Sequence, residues 1–200
     1  MANDTRERIV VVARDLVHGA SLAQVSTEEV CRAAGIHKGS LYHFFPSKNA
    51  LGTAVLERNW DMMSAVLQAA FADDVAPLAR IDRFVDSFAE MLAALRQRMG
   101  ATPGCPLGGL AAEMAGHGDD ARAQVTRILA GWTRYFTEAI AEAKGRGEIA
   151  AAVDPGEASM RLLAHLQGYA LMAKAYDDPD VLRQAKTGMR MLLGAEAPAD

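Results

Sequence analysis

Apolar side chains recur along almost the whole chain at three- and four-residue steps, the spacing that lines one face of an α-helix. Ile9, Val12, Ala13, Leu16 and Val17 form such a face in a first helix that ends near Gly19, with Arg6, Arg8 and Arg14 on its polar side. Ser26-x-x-Glu29 is a capping box that starts a second helix, and Gly35 stops it. A third, short helix spans Lys38 to Phe45 and is ended by Pro46. Ser47 caps a fourth running to about Phe71, with Leu51, Val55, Met62 and Val66 on one side. Leu78, Ile81, Val85, Phe88, Leu92, Leu95 and Met99 make a wholly apolar seam in the fifth. A Gly- and Pro-rich stretch, 100–109, precedes a short sixth helix from Leu107 to Ala115. Asp119 opens a long seventh with Val125, Ile128, Leu129, Trp132, Phe136 and Ile140. Asp154-Pro155-Gly156-Glu157 and Asp178-Pro179 place a cap before a proline and so start an eighth helix, to Tyr176, and a ninth, to about Leu193. No segment alternates β-branched residues between turn signals, so the expected fold is all-α with about nine helices.

Two short helices joined by a tight glycine turn are a helix-turn-helix candidate. The expected organisation is a helix-turn-helix domain over 1–46, a second helical domain over 47–194, and a tail over 195–200. Half of the 200 residues are apolar, enough for a sizeable core, yet no apolar run approaches the length of a membrane span. The N-terminus has no signal-like segment, and the expected location is the cytoplasm. Two cysteines without metal-ligand spacing predict neither a disulfide framework nor a metal site, and no cofactor motif is present.

A net charge of −4 argues against a protein that coats nucleic acid by charge alone. The charge is uneven. Residues 1–50 carry six basic and five acidic side chains besides His18, His37 and His43, whereas the remainder carries fifteen basic and twenty acidic. Any polyanion contact therefore belongs to the first quarter. A helix-turn-helix sends the N-terminal part of its second helix into the major groove, where polar or small residues must face the bases. Lys38, Gly39, Ser40 and His43 meet that requirement. Lys38 suits guanine O6/N7 or a phosphate, Tyr42 and Lys48 suit phosphates at the helix end, and Ser26 and Thr27 offer donors at a helix N-terminus. Leu41, Phe44, Phe45 and Leu51 are the apolar counterpart that holds the third helix in place.

Read together, Ala34-Gly35, Lys38-Gly39-Ser40-Leu41-Tyr42, Phe45-Pro46-Ser47-Lys48 and Leu51 resemble the N-terminal domain of the tetracycline-repressor (TetR) family of bacterial transcriptional regulators. The resemblance is a composite of about ten positions over 26 residues, with a softer match in the first helix at Arg8, Ile9, Ala13 and Leu16. Two positions depart from the pattern. His37 stands where the family has a Ser or Thr cap, and is either a DNA contact or a substitute cap; Phe44 stands where His is common, which points to packing. Cys31 replaces a frequent Ala and is expected to be a buried thiol.

The resemblance implies a DNA-binding domain over 1–46, a ligand-binding and dimerisation domain over 47–194, a homodimer bound to a palindromic operator in double-stranded DNA, and a small-molecule effector that shifts the affinity. Met62, Phe88, Met91, Met114, Trp132, Phe136, His165 and Tyr169 are the candidate pocket residues. Gly104-Cys105-Pro106-Leu107-Gly108-Gly109-Leu110-Ala111 resembles a motif, G-C-x-x-G-N-x-[AS], of a TetR subset in which some members respond to electrophiles through that cysteine; here Gly109 replaces the Asn. Cys105 is thus a further effector-site candidate, against a structural role in a tight loop. For the dimer, the last two helices offer Leu162, Leu163, Leu166, Met172, Val181, Leu182, Met189 and Leu192. The competing readings are a small-molecule-binding helical protein that does not bind DNA, and a cysteine-dependent enzyme using Cys105 with His117 or His165. The latter lacks an identifiable orienting residue or oxyanion loop, so the protein is not expected to be an enzyme.

Overall fold

The computed structural model describes residues 2–195; the rest of the expected tail, 196–200, lies outside the described residues. Among the described residues the protein is all-helical, as the periodicity predicts. Its α-helices are α1 (Ala2–Gly19), α2 (Thr27–Ala34), α3 (Lys38–Phe44), α4 (Lys48–Ala70), α5 (Pro77–Met99), α6 (Gly108–Met114), α7 (Asp119–Gly145), α8 (Pro155–Tyr176) and α9 (Ala185–Leu192). None of them is long and apolar enough to cross a membrane. The expected last helix is split, and Pro179–Gln184 is a 3-10 helix that leads into α9. The Asp178 carboxylate accepts the Asp180 amide, and Arg183 reaches both Asp180 and Asp86. Positions three apart eclipse one another in a 3-10 helix, which lines up Asp180 with Arg183.

Packing divides the chain into two compact units, one of residues up to 62 with 106–127 and one of 63–105 with the residues from 128 onward. This partition is not sequential, since residues 106–127 group with the N-terminal helices.

In the first unit, Ile9, Val10, Ala13 and Val17 of α1 are buried while Val12 and Leu16 are only half-buried, so the inner face sits slightly off the predicted one. Arg14, expected on the polar side, is buried and pairs with Asp15 at 2.9 Å. Arg6 lies over the Phe45 ring at 5.3 Å, a cation–π contact between the first helix and the end of α3. In α4 the buried line passes through Leu51, Val55, Asn59, Met63 and Leu67 rather than Met62 and Val66. The buried Asn59 donates its amide to the Pro106 carbonyl at 2.7 Å.

The second unit is built on an aromatic cluster. Phe84, Phe88, Trp132 and Phe136 are fully buried, with ring centroids 5.7 to 6.0 Å apart, and Phe71 packs on Phe84, Tyr135 and Phe136. Arg80, buried beside this seam, is neutralised by Glu142 at 2.7 Å and donates to the Val75 carbonyl.

The C-terminal end of α8 is fixed by Asp177, whose backbone is left-handed (φ 52°, ψ 38°). Its carboxylate accepts a two-pronged pair from Arg96 at 3.0 Å each, and also the amide and hydroxyl of Thr102. The Arg96 guanidinium first, then Thr102, hold this carboxyl well below the usual carboxylate range. A depressed folded-state pKa gives stability that is complete above the unfolded value, about 3.9, and is lost as pH falls below it. Asp177→Asn, which keeps the left-handed backbone accessible, is therefore expected to unfold more readily than wild type at pH 7. Denaturant melts at pH 7, 4 and 3 should show that gap closing with acid; a gap independent of pH would contradict the assignment.

Candidate nucleic-acid interface

The helix-turn-helix is set by local signals. The Ser26 hydroxyl accepts the Glu29 amide at 3.2 Å, and Glu29 in return accepts the Ser26 amide at 2.7 Å and hydroxyl at 2.8 Å. Both donors of Ser26 are thus engaged in the cap, and its part in the site is to start α2. Gly35 is left-handed (φ 63°, ψ 42°), and Ile36 closes the turn by donating to the Cys31 carbonyl at 3.0 Å. Such a conformation suits glycine. His37 is the N-cap of α3, yet its imidazole makes no cap hydrogen bond, leaving the exposed ring facing solvent. Cys31 is buried, as expected.

α3 is two-sided. Leu41 is 1% exposed and Phe45 3%, anchoring the helix, whereas His37, Lys38, Gly39, Ser40 and His43 are exposed and Tyr42 is 41% exposed. Phe44, expected to pack, is half-buried with its ring edge-on to His43 at 5.1 Å. The structure therefore brings Lys38, Gly39, Ser40, Tyr42 and His43 together on one short element with His37 at its start.

Lys38 is held in place by Glu28 of α2, with Nζ 2.6 Å from Oε1, and Thr27 donates its hydroxyl to the other oxygen of the same carboxylate. The Lys38 hydrogen bond is the main reason the Glu28 carboxyl is lowered to about 2, with the bonds from its own backbone and Thr27 adding to it. Glu28 thus remains ionised at neutral pH. Both partners are exposed, so the pair contributes little stability, and a DNA phosphate or guanine can compete for the ammonium. Lys48, half-buried at the start of α4, donates to the Ala23 carbonyl at 2.9 Å. An ammonium has three donors, so two remain for a phosphate.

The nine effector candidates do not fall in one place. Met62 and Met114 belong to the first unit, where Met114 is fully buried and Met62 half-buried. Phe88, Trp132 and Phe136 are inside the aromatic cluster of the second unit, and Met91 is half-buried. The Trp132 indole Nε1 is buried without a hydrogen-bond partner among the described residues. His165 and Tyr169 contact each other edge-on at 5.0 Å and line a surface groove of about 430 Å³ between α8 and the 3-10 helix, not the aromatic cluster.

Cys105 sits in a loop pressed along α8. Thr102 bonds Asp177, a Cβ on Gly104 would meet Lys174 at 3.2 Å, and Cys105 Sγ accepts from Gln167 Nε2 at 3.4 Å. Gln167 and Lys174 share one face of α8 at helical spacing, and Asp177 caps the end of the helix. Sequence reasoning missed both Gln167 and Glu28, because each is defined by a partner on another element.

Two family models account for most of the chain. One, for bacterial regulatory proteins of the tetR family, matches residues 9–55, and a second, for the tetracyclin repressor-like C-terminal domain, matches 77–189. The chain belongs to the TetR family of transcriptional regulators. It is 34% identical over 161 residues to the transcriptional regulator AcuR of Cereibacter sphaeroides, covering 80% of this chain and 72% of that relative. It is 24% identical to the transcriptional repressor NemR of Escherichia coli, covering 98% and 96% of the two chains. Among solved structures, a regulatory protein TetR from Rhodobacter sphaeroides superposes with a TM-score of 0.80 at 29% identity, covering 93% and 97%. The reduced form of Escherichia coli NemR superposes at 0.77 and 22%, covering 98% and 100%, a likeness of fold. As a TetR-family member this protein is a DNA-binding transcriptional regulator, and the helix-turn-helix match ends within α4, just beyond Lys48 and Leu51.

Proposed function

We propose that the protein is a homodimeric repressor that binds a palindromic operator through α3 and is released by a small-molecule effector. The observation that carries this reading is α3 itself, with its exposed row from His37 to His43 standing over the buried Leu41 and Phe45. Repression, rather than activation, is supported by relatives such as NemR and the DhaR of a Mycobacterium species, both described as transcriptional repressors.

Dimerisation is supported by the apolar residues left without cover on α8 and α9. Met160, Leu171, Met172, Tyr176, Met191 and Leu192 are exposed. The sequence pattern points also to Leu162, Leu163, Leu166, Leu182 and Met189, but these are buried within the protomer. Periodicity marks apolar surface without telling which of two neighbours takes it. A two-fold axis would let the exposed set cover itself. The Trp132 indole supports an effector that presents a hydrogen-bond acceptor among aromatic rings, since a buried donor without a partner costs about 1–3 kcal/mol. Cys105 stands as the covalent alternative, with the Gln167 amide donating to its sulfur. Sedimentation of Leu171→Glu/Met191→Glu tests the dimer. The variant is expected to be monomeric at micromolar concentration and to lose roughly 100-fold or more in operator affinity, because a single half-site remains. A variant that stays dimeric and binds normally would contradict the α8–α9 interface.

A further inference from the structure

α6 comes about sixty residues after the helix-turn-helix, yet it packs within the same unit, and one of its side chains reaches the loop that leads into α2. The two carboxylate oxygens of Glu113 accept hydrogen bonds from consecutive backbone amides, Leu22 N–H at 3.0 Å and Ala23 N–H at 2.6 Å. The carbonyl of Ala23 accepts from Lys48 at the start of α4. Ala23 is thereby gripped at its amide by α6 and at its carbonyl by α4.

The surroundings leave this grip little play. Leu22 and Met114 are buried, and a Cβ on Gly52 of α4 would lie 2.5 Å from Leu22 Cδ2 and 2.8 Å from Met114 Sδ. The stretch around α6 is anchored at both ends, by Asn59 on the Pro106 carbonyl and by Gln124 on the Thr53 carbonyl at 3.2 Å. Adjacent backbone amides make a concave donor pair that suits an anion, and hydrogen bonds to an ionised acceptor are the stronger kind. No helix satisfies these two amides, so Glu113 supplies the acceptor that the α1–α2 loop lacks.

We propose that Glu113 is a positioning residue for DNA binding: it touches no DNA, and by holding the Leu22–Ala23 backbone to α6 it fixes the angle at which α2 and α3 are presented. The proposal rests on the reading of α3 as the DNA-contacting helix and extends the machinery beyond the first 46 residues.

The test uses the full-length protein and a duplex that the wild type selects from a random library, with affinities read by fluorescence anisotropy at several salt concentrations. A series of the same duplex with the half-sites moved apart or together by one base pair is measured alongside. Glu113→Ala is expected to lower affinity about 10- to 30-fold, by reducing the fraction of protein with α3 correctly presented. Glu113→Gln, which keeps one acceptor oxygen, should lose less, and Glu113→Asp, a methylene short, should resemble the alanine variant. The salt slope should stay at the wild-type value because no phosphate contact is removed, and the preference for one spacing should flatten. Glu113→Gln should melt within a degree or two of wild type, so that its binding reports on presentation rather than folding. Wild-type affinity in Glu113→Ala, or a loss of affinity with the spacing preference intact, overturns the proposal. A wild-type chain that selects no duplex overturns the α3 reading, and the positioning role with it.

Discussion

With Lys38 and Tyr42 both replaced by alanine, operator affinity is expected to fall by about three orders of magnitude while the melting temperature stays near that of wild type. A dimer loses two side chains in each half-site, and at about 1 kcal/mol per contact the sum is close to 4 kcal/mol, or 10³-fold. Folding is spared because both side chains are exposed and the Lys38–Glu28 pair is open to solvent. The single variants separate their roles. Tyr42→Phe should weaken cognate and altered operators alike, as the loss of a backbone contact does, whereas changing Lys38 should alter which bases are preferred. Anisotropy titrations with the selected duplex measure both effects, and unchanged binding by the double variant would remove α3 from the interface.

Phe84→Ala is expected to cost about 3–5 kcal/mol of stability, the largest loss of any single substitution considered for this protein. The ring is fully buried and touches Phe71, Phe88, Trp132 and Phe136, so truncation removes apolar burial and four aromatic contacts and leaves a cavity among rigid rings. Trp132 is itself in contact with Phe84, and its fluorescence provides the probe for urea melts. A loss below 1 kcal/mol would mean that the cluster relaxes around the gap.

The N-terminal motif was legible because its signals are local. Ser26 and Glu29 close their box within one turn, Gly35 takes the left-handed backbone that glycine suits, and Asp154-Pro155 starts α8 where the pattern places it. Other features were hidden for physical reasons. A three- or four-residue period locates a helical face only to within a residue, which is why Met63 rather than Met62 is buried and why Arg14 turned out to lie inside. An Asp-Pro cap serves a 3-10 helix as well as an α-helix, and the choice at Pro179 is made by Asp180 and Arg183 with help from Asp86 on α5. Glu113 sits ninety or so residues from the amides it accepts, and nothing in its local sequence distinguishes it from an ordinary surface carboxylate. The effector candidates carry no local signal that separates a pocket from a core. Phe, Trp and Met serve a core as readily as a pocket, and the structure disperses the nine between the aromatic cluster, the α8 groove, the Cys105 loop, the first unit and, for Met91, a half-buried position on α5.

The most direct test of the central claim, that α3 reads sequence, is to select duplexes from a random library with wild type and with Lys38→Gln, and to compare the enriched sites. Wild type should enrich an inverted repeat whose half-site centres lie about one helical turn, roughly 34–36 Å, apart or a little more. Lys38→Gln should enrich the same spacing with different bases at one symmetry-related pair of positions. Identical bases from both proteins, or enrichment of no inverted repeat by the wild type, would contradict the account.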